Sequence, residues 1–325
     1  MSGRDHRSRD NTVGWAVAAV TMVLLAVFGA EGEARWPWLA FNLVASAAYL
    51  LLLVPACQAW ARNLVARHPS LSVHVPLGLA LYGMVAALLR GSDNWLNFLL
   101  WPVGAGLATV ALGVGREGEP SPPRLLVAAL ALSAIWGIWE RGITIAVPGG
   151  MHLSLGPLVA VGLALFLLTV VHPLRTFDVG LALTWRELLL ALAAVALLAA
   201  VAIPLGLAVH FLAFQSRWLG VTHVALRLFG LMLFVGLPEE MLFRGVIQEA
   251  FSRIWNPRIG LVLGSAVFGL LHLLKHPTHP NWGYGLLATT AGLAYGWVYQ
   301  RTGKVAAAAV THGAVDWIWS MFLGA

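Results

Sequence analysis

Within an apolar stretch of this chain, Glu239 and Glu240 stand side by side, with Arg244 four residues later. Farther on come His272 and then His312 with Asp316. These side chains accept and release protons, and an ionisable group inside an apolar span is costly enough to point to a function. On a helix, Glu240 and Arg244 share one face and pair. Glu239 is rotated roughly 100° from Glu240 and is left without that partner. One carboxylate is then structural and charged, and the other is open to the proton exchange that a general base needs. A buried ion pair that only locks helices together would explain Glu240 and Arg244 but not Glu239. His272, taken alone, reads as an ordinary core histidine. His312 and Asp316 share one face of a further helix.

The elements that carry these groups must bring them to one level. Glu239 lies fourteen residues before Arg253, and His272 lies fourteen after Arg258. His312 and Asp316 lie eight and twelve residues after Lys304. At about 1.5 Å per helical residue, all four fall roughly 12–21 Å from the basic helix ends, near the middle of a bilayer. Unrelated core histidines have no reason to coincide in this way.

Composition requires the bilayer. Of 325 residues, 59% are hydrophobic and 10% charged, against roughly 25% charged in soluble domains. The expected fold class is all-α, a polytopic membrane helix bundle. Spans are read near 13–30, 36–60, 73–89, 95–114, 125–147, 151–171, 187–213, 222–238 (running on as helix past Pro238 to about 253), 259–274, 282–300 and 305–322, about eleven in all. Lys and Arg fall thirteen on one set of connections and four on the other, which puts the N-terminus in the cytoplasm. Arg141, Arg227 and Arg244 lie within spans. The charged segment ahead of the first apolar run is read as leading into an uncleaved span. Residues 115–124 and 173–186 are the linker-like breaks.

The other signals are weaker. The single cysteine, Cys57, excludes an intrachain disulfide framework and any cysteine-based metal cluster. The net charge of +6 comes from scattered single positions, which suits lipid headgroups and excludes a nucleic-acid surface. Tryptophans near span ends (Trp36, Trp38, Trp60, Trp95, Trp218, Trp282, Trp317 and Trp319) read as interfacial anchors. Gly292 and Gly296 could admit a close helix approach. Glu140-Arg141 reads as a structural pair, and His276 and His279 as loop residues.

The segments Pro-Glu239-Glu240-Met-Leu-Phe-Arg244-Gly, Phe268-Gly-Leu-Leu-His272 and Thr-His312-Gly-Ala-Val-Asp316 resemble the EExxxR, FxxxH and HxxxN/D motifs of the CPBP family. That family comprises CAAX prenyl proteases of the Ras-converting type and bacterial bacteriocin-processing relatives, often labelled Abi. The resemblance covers about residues 187–325, expected to form the catalytic membrane domain, and leaves 1–186 as an N-terminal transmembrane region of unknown role. It implies peptide hydrolysis at a site open to the cytosol. Glu239 would activate water, His272 would help hold it, and Glu240 and Arg244 would support the site. His312 and Asp316 would stabilise the oxyanion. Ras-converting members carry Asn where this chain has Asp316, so either a protonated Asp316 donates or an ionised one holds His312 as imidazolium. No cofactor is required by this reading. The alternative is zinc held by Glu239, His272, His312 and Asp316, although HExxH is absent. The implied partners are a membrane-anchored protein or peptide substrate and the lipid bilayer, and the expected location is a bacterial inner (plasma) membrane. The competing function is a non-catalytic immunity factor or scaffold that binds a peptide.

Overall fold

The computed structural model describes residues 3–29, 36–89, 95–113, 119–136, 144–147, 151–174, 177–217, 220–273 and 280–324. The chain divides into two units, Met1–Phe177 and Asp178–Ala325. Among the described residues it is helical apart from two short strand pairs. Glu140, Arg141, Trp218, Lys275, His276 and His279 lie outside the described residues.

The N-terminal unit contains α1 (Gly3–Gly29), α2 (Trp36–Leu52), α3 (Pro55–Arg67), α4 (Leu71–Leu89), α5 (Trp95–Leu112) and α6 (Pro122–Trp136). After them come β1 (Thr144–Val147), β2 (Met151–Ser154) and α7 (Leu155–Leu165), which continues as a π-helical turn over Phe166–Val171. Three expected spans are interrupted. The 36–60 span breaks before Pro55, where Val54 takes the extended conformation (φ −90°, ψ 117°) that a following proline favours. The segments Leu43–Leu52 and Pro55–Arg67 meet there at 93°. The spans at 125–147 and 151–171 meet in an antiparallel hairpin, with Ile145 opposite Leu153 and Ala146 opposite His152. Thr144, Ile145 and Val147 are β-branched and favour the pleated strand.

In the C-terminal unit, α8 (Trp185–Ala208) starts from a capping box. Glu187 N–H donates to the Thr184 hydroxyl at 3.3 Å, and Thr184 N–H donates to the Glu187 carboxylate at 2.6 Å. The same carboxylate receives Lys304 Nζ at 3.0 Å. The amides of Val305 and Ala306 donate to the carbonyls of Asp178 and Val179. These bonds fasten 178–187, nearly all of which the composition reads as linker, to the start of the last helix. On the outer face of α8, Leu189, Leu192, Leu197 and Val201 are 45–69% exposed, an apolar surface suited to lipid.

Helix α9 (Val221–Ile254) runs unbroken for 34 residues through Pro238. A proline inside an α-helix lacks one hydrogen bond and its ring meets the carbonyl four residues back. Here the turn Met232–Gly236 just ahead of it is π-helical, Leu237 N–H reaching Met232 O, and a second π segment follows at Phe243–Gln248. Such π turns inside α-helices gather at functional sites. The unit is completed by β3 (Ala213–Phe214), α10 (Pro257–His272), α11 (Trp282–Thr302), α12 (Val305–Phe322) and β4 (Leu323–Gly324). β3 and β4 pair antiparallel, and Gln215 N–H and Arg217 N–H extend the pairing to Phe322 O and Met321 O.

By length and composition, α8 and α9 are long and apolar enough to cross a membrane, and the bent pair of α2 and α3 makes a third candidate. Residues 71–86, 98–112, 122–135, 156–171 and 257–272 form apolar helices shorter than the ~20 residues a full span needs. Among the described residues two helices, or three with the bent pair, meet these requirements, and the expected count of eleven is not confirmed.

Candidate active site

Two glycines bring α9 and α12 together. A Cβ on Gly236 would meet the Ala309 carbonyl oxygen at 2.7 Å, and one on Gly313 would meet Met232 Cα at 2.7 Å. The helices therefore cross backbone to backbone, one turn from Glu239 and Glu240 on α9 and beside His312 on α12. The Gly292 and Gly296 pattern serves the same purpose on α11. A Cβ at Gly292 would meet Ser265 of α10 at 3.2 Å, and one at Gly296 would meet the Gln248 side chain at 2.4 Å.

This crossing joins Glu240, Arg244, His312 and Asp316. Arg244 Nε donates to Glu240 Oε2 at 2.7 Å, and both side chains are 0% exposed. The other oxygen, Oε1, lies 2.8 Å from His312 Nδ1. Both oxygens of Glu240 are thereby engaged. Since a carboxylate only accepts, His312 Nδ1 carries a hydrogen. His312 Nε2 lies 3.4 Å from Asp316 Oδ2 and 3.9 Å from Glu239 Oε2. A proton shared by this pair would be carried either by the imidazolium or by a protonated Asp316. Glu240 fixes the ring through Nδ1, so its orientation does not depend on Asp316 alone.

His272, expected within an apolar helix, is the last residue of α10. Its Nδ1 lies 2.7 Å from the Phe268 carbonyl, a group that only accepts. Nδ1 is thus the donor, and in the neutral ring Nε2 is the accepting nitrogen.

A cavity of about 230 Å³ opens beside these groups. Glu239, His272, His312 and Asp316 line one part of it, and Leu198, Ala199, Ala202, Ile203, Leu287 and Ala288 line another. Glu240 and Arg244 are buried behind the wall. The neighbouring carboxylates are thus separated by environment, Glu240 sealed and doubly bonded, Glu239 facing the cavity.

Sequence reasoning missed the aromatic frame. The Tyr295 ring stacks on the His312 ring, with centroids 4.6 Å apart and planes at 14°. Tyr284 meets His272 edge-on at 4.8 Å. Phe268 lies 4.4 Å from the His272 ring, and the Arg244 guanidinium sits 5.3 Å from the Phe268 centroid. A signal was present in the sequence: Tyr284, Ala288, Ala291 and Tyr295 follow the 0, 4, 7, 11 spacing of one helix face, and all four line the cavity. Two expected interfacial anchors also turn inward. Trp319 lines the cavity edge-on to Phe211 and Tyr284, and Trp317 Nε1–H donates to the Val224 carbonyl at 3.1 Å. Trp60 and Trp282, by contrast, are 67% and 69% exposed, as anchors require.

Among the described residues, no three His, Cys, Asp or Glu side chains converge at metal-ligand spacing. His312 holds one nitrogen on Glu240 and presents the other to two carboxylates that are 3.4 and 3.9 Å away.

Residues 221–318 match the family described as Type II CAAX prenyl endopeptidase Rce1-like, a segment that runs from the first residue of α9 to within α12 and contains all six of these residues. No curated protein and no solved structure matches the chain.

Proposed function

The chain belongs, through residues 221–318, to the CPBP family of CAAX-type proteases, and from that premise we propose that it is an intramembrane endopeptidase with Glu239 as its general base. The observation that carries this reading is the separation of the two carboxylates. Glu240 is buried with both oxygens bonded, whereas Glu239 lines the cavity together with His272, His312 and Asp316.

Hydrolysis proceeds in two steps. Glu239 takes a proton from a water molecule as the oxygen attacks the scissile carbonyl carbon. His272 Nε2 accepts the water's second hydrogen and orients it. The carbonyl oxygen becomes an oxyanion, which accepts a hydrogen bond from whichever of His312 Nε2 and the Asp316 carboxyl carries the proton, that hydrogen turning from its neighbour to the oxyanion. Donors placed where charge develops are worth about 2.7–4 kcal/mol each. Collapse of the intermediate breaks the C–N bond, and Glu239 passes its proton to the departing amine. A new carboxyl group and a new amine result, and Glu239 is again ionised. Glu240 and Arg244 act through His312 and hold its ring in place.

In this reading residues 187–325 are the catalytic membrane domain and 1–186 a further membrane region. The chain crosses the bilayer about eleven times, the bilayer thinning locally around its shorter apolar helices. The partner is a membrane-anchored protein or peptide that offers an extended segment to the cavity.

The test is Glu239→Gln, which preserves volume and removes the base. Turnover of a cleavable peptide by the purified protein should fall at least ~10²-fold, with the melting temperature in detergent little changed. Wild-type turnover in Glu239→Gln would rule the mechanism out.

A further inference from the structure

The C-terminal unit has two unlike ends. At one, α8 begins, α9 ends, α10 begins, α11 ends and α12 begins; at the other, α8 ends, α9 begins, α10 ends, α11 begins and α12 ends, beside the strand pair β3–β4. The cavity lies toward the second end. On α11 its lining runs from Tyr284 to Tyr295, and on α12 from His312 to Trp319, and it continues past the helix ends to Leu212 and Leu323. The remaining turns of α11 and α12, leading to Arg301 and Lys304, contribute nothing to it. There Ala194, Val298 and Ala307, 4%, 0% and 0% exposed, close into a core cluster. On α9, Arg244 and Gln248 are 0% and 1% exposed. The site is thus walled off from the first end and reaches the second.

Charge distinguishes the same two ends. Arg186, Arg253, Arg258, Arg301 and Lys304 gather at the closed end. In the sequence between α8 and α9 the only Lys or Arg is Arg217, and between α10 and α11 it is Lys275; Arg227 lies within α9. Basic residues in short connections stay on the cytoplasmic side. The closed end is therefore cytoplasmic, and the cavity faces the opposite side of the membrane.

We infer that substrate reaches this site from the non-cytoplasmic face, so that the protein cleaves membrane-anchored chains whose scissile segment is presented there. The substrate class rests on the endopeptidase reading above; the side of access does not. It departs from the cytosolic opening that the family resemblance implies, and it excludes proteins lipidated on the cytoplasmic surface. Leu212, just before β3, and Leu323, within β4, line the cavity at the end that such a segment would pass.

Single cysteines in a Cys57→Ser chain test the side of access without any need for turnover. Leu212→Cys reports on the cavity rim, Gln215→Cys on the exposed connection beside it, and Arg301→Cys on the closed end. A membrane-impermeant maleimide should label Leu212→Cys and Gln215→Cys in right-side-out vesicles and Arg301→Cys only in inside-out vesicles. Labelling of Leu212→Cys from the cytoplasmic side overturns the inference, whether or not Glu239→Gln is inactive. So does a Leu212→Cys that reacts from neither side while Gln215→Cys reacts from outside, since the cavity then has no opening at that end.

Discussion

Replacing Glu240 by alanine should destabilise the protein through the charge it leaves behind. Glu240 and Arg244 are both 0% exposed and bonded at 2.7 Å. A guanidinium does not shed its proton in proteins, so Arg244 stays charged when the carboxylate is removed. Its position over the Phe268 and Tyr295 rings, 5.3 and 5.9 Å from their centroids, exists before and after the change and offsets nothing. Breaking one side of a buried pair costs about 3–5 kcal/mol, against a total stability of about 5–15 kcal/mol. At about 2–4 °C per kcal/mol for a unit of this size, the melting temperature should drop by roughly 6–20 °C. The assay is a thermal melt of the purified protein in detergent, with abundance in the membrane as a second readout. Glu240→Met combined with Arg244→Met removes both charges and should recover most of the stability. It should not recover turnover, because His312 Nδ1 has lost the oxygen that holds it at 2.8 Å. A Glu240→Ala protein that melts within ~2 °C of wild type would refute the reasoning, as would a double variant with full activity.

The other predictions concern the oxyanion groups, the helix crossing and the apolar part of the cavity. Asp316→Asn should keep turnover within about tenfold, since an amide can pair with His312 Nε2 in either direction, while Asp316→Ala should lose about 10²–10³-fold; equal losses in the two variants would show that a charged Asp316 is required. Gly313→Val places side-chain carbon against the Met232 backbone, where a Cβ already meets Cα at 2.7 Å. It should cost about 10²-fold in kcat per folded molecule by shifting His312 from Glu239 by about 1 Å, and unchanged kcat would contradict this account of the crossing. Ala291→Phe fills the cavity from α11, so kcat/KM on a peptide should fall while the melting temperature is maintained; undiminished kcat/KM would show that substrate does not use that space.

The sequence by itself determined the solvent, because 59% hydrophobic residues with 10% charged cannot cover a globule in water. It also determined which groups share a helix face. Glu240 with Arg244 and His312 with Asp316 follow from a spacing of four, and both pairs are present. Helix through Pro238 was legible as well. Periodicity, however, assigns a residue to a face of its own helix and carries no information on what faces it from another. That Glu240 also holds His312, 72 residues away, depends on how closely α9 and α12 cross, which is set by Gly236 and Gly313 together. The same limit hid the aromatic frame, since stacking of Tyr295 on His312 is a relation between α11 and α12. Local breaks escaped for a different reason. Hydropathy treats Val54-Pro55 and Thr144–Val147 as ordinary apolar residues, whereas the bend and the hairpin come from backbone dihedrals that proline and β-branched side chains restrict. Pattern along the chain fixed which residues are adjacent within each helix; only packing in three dimensions decided which carboxylate is sealed behind the wall and which meets the cavity.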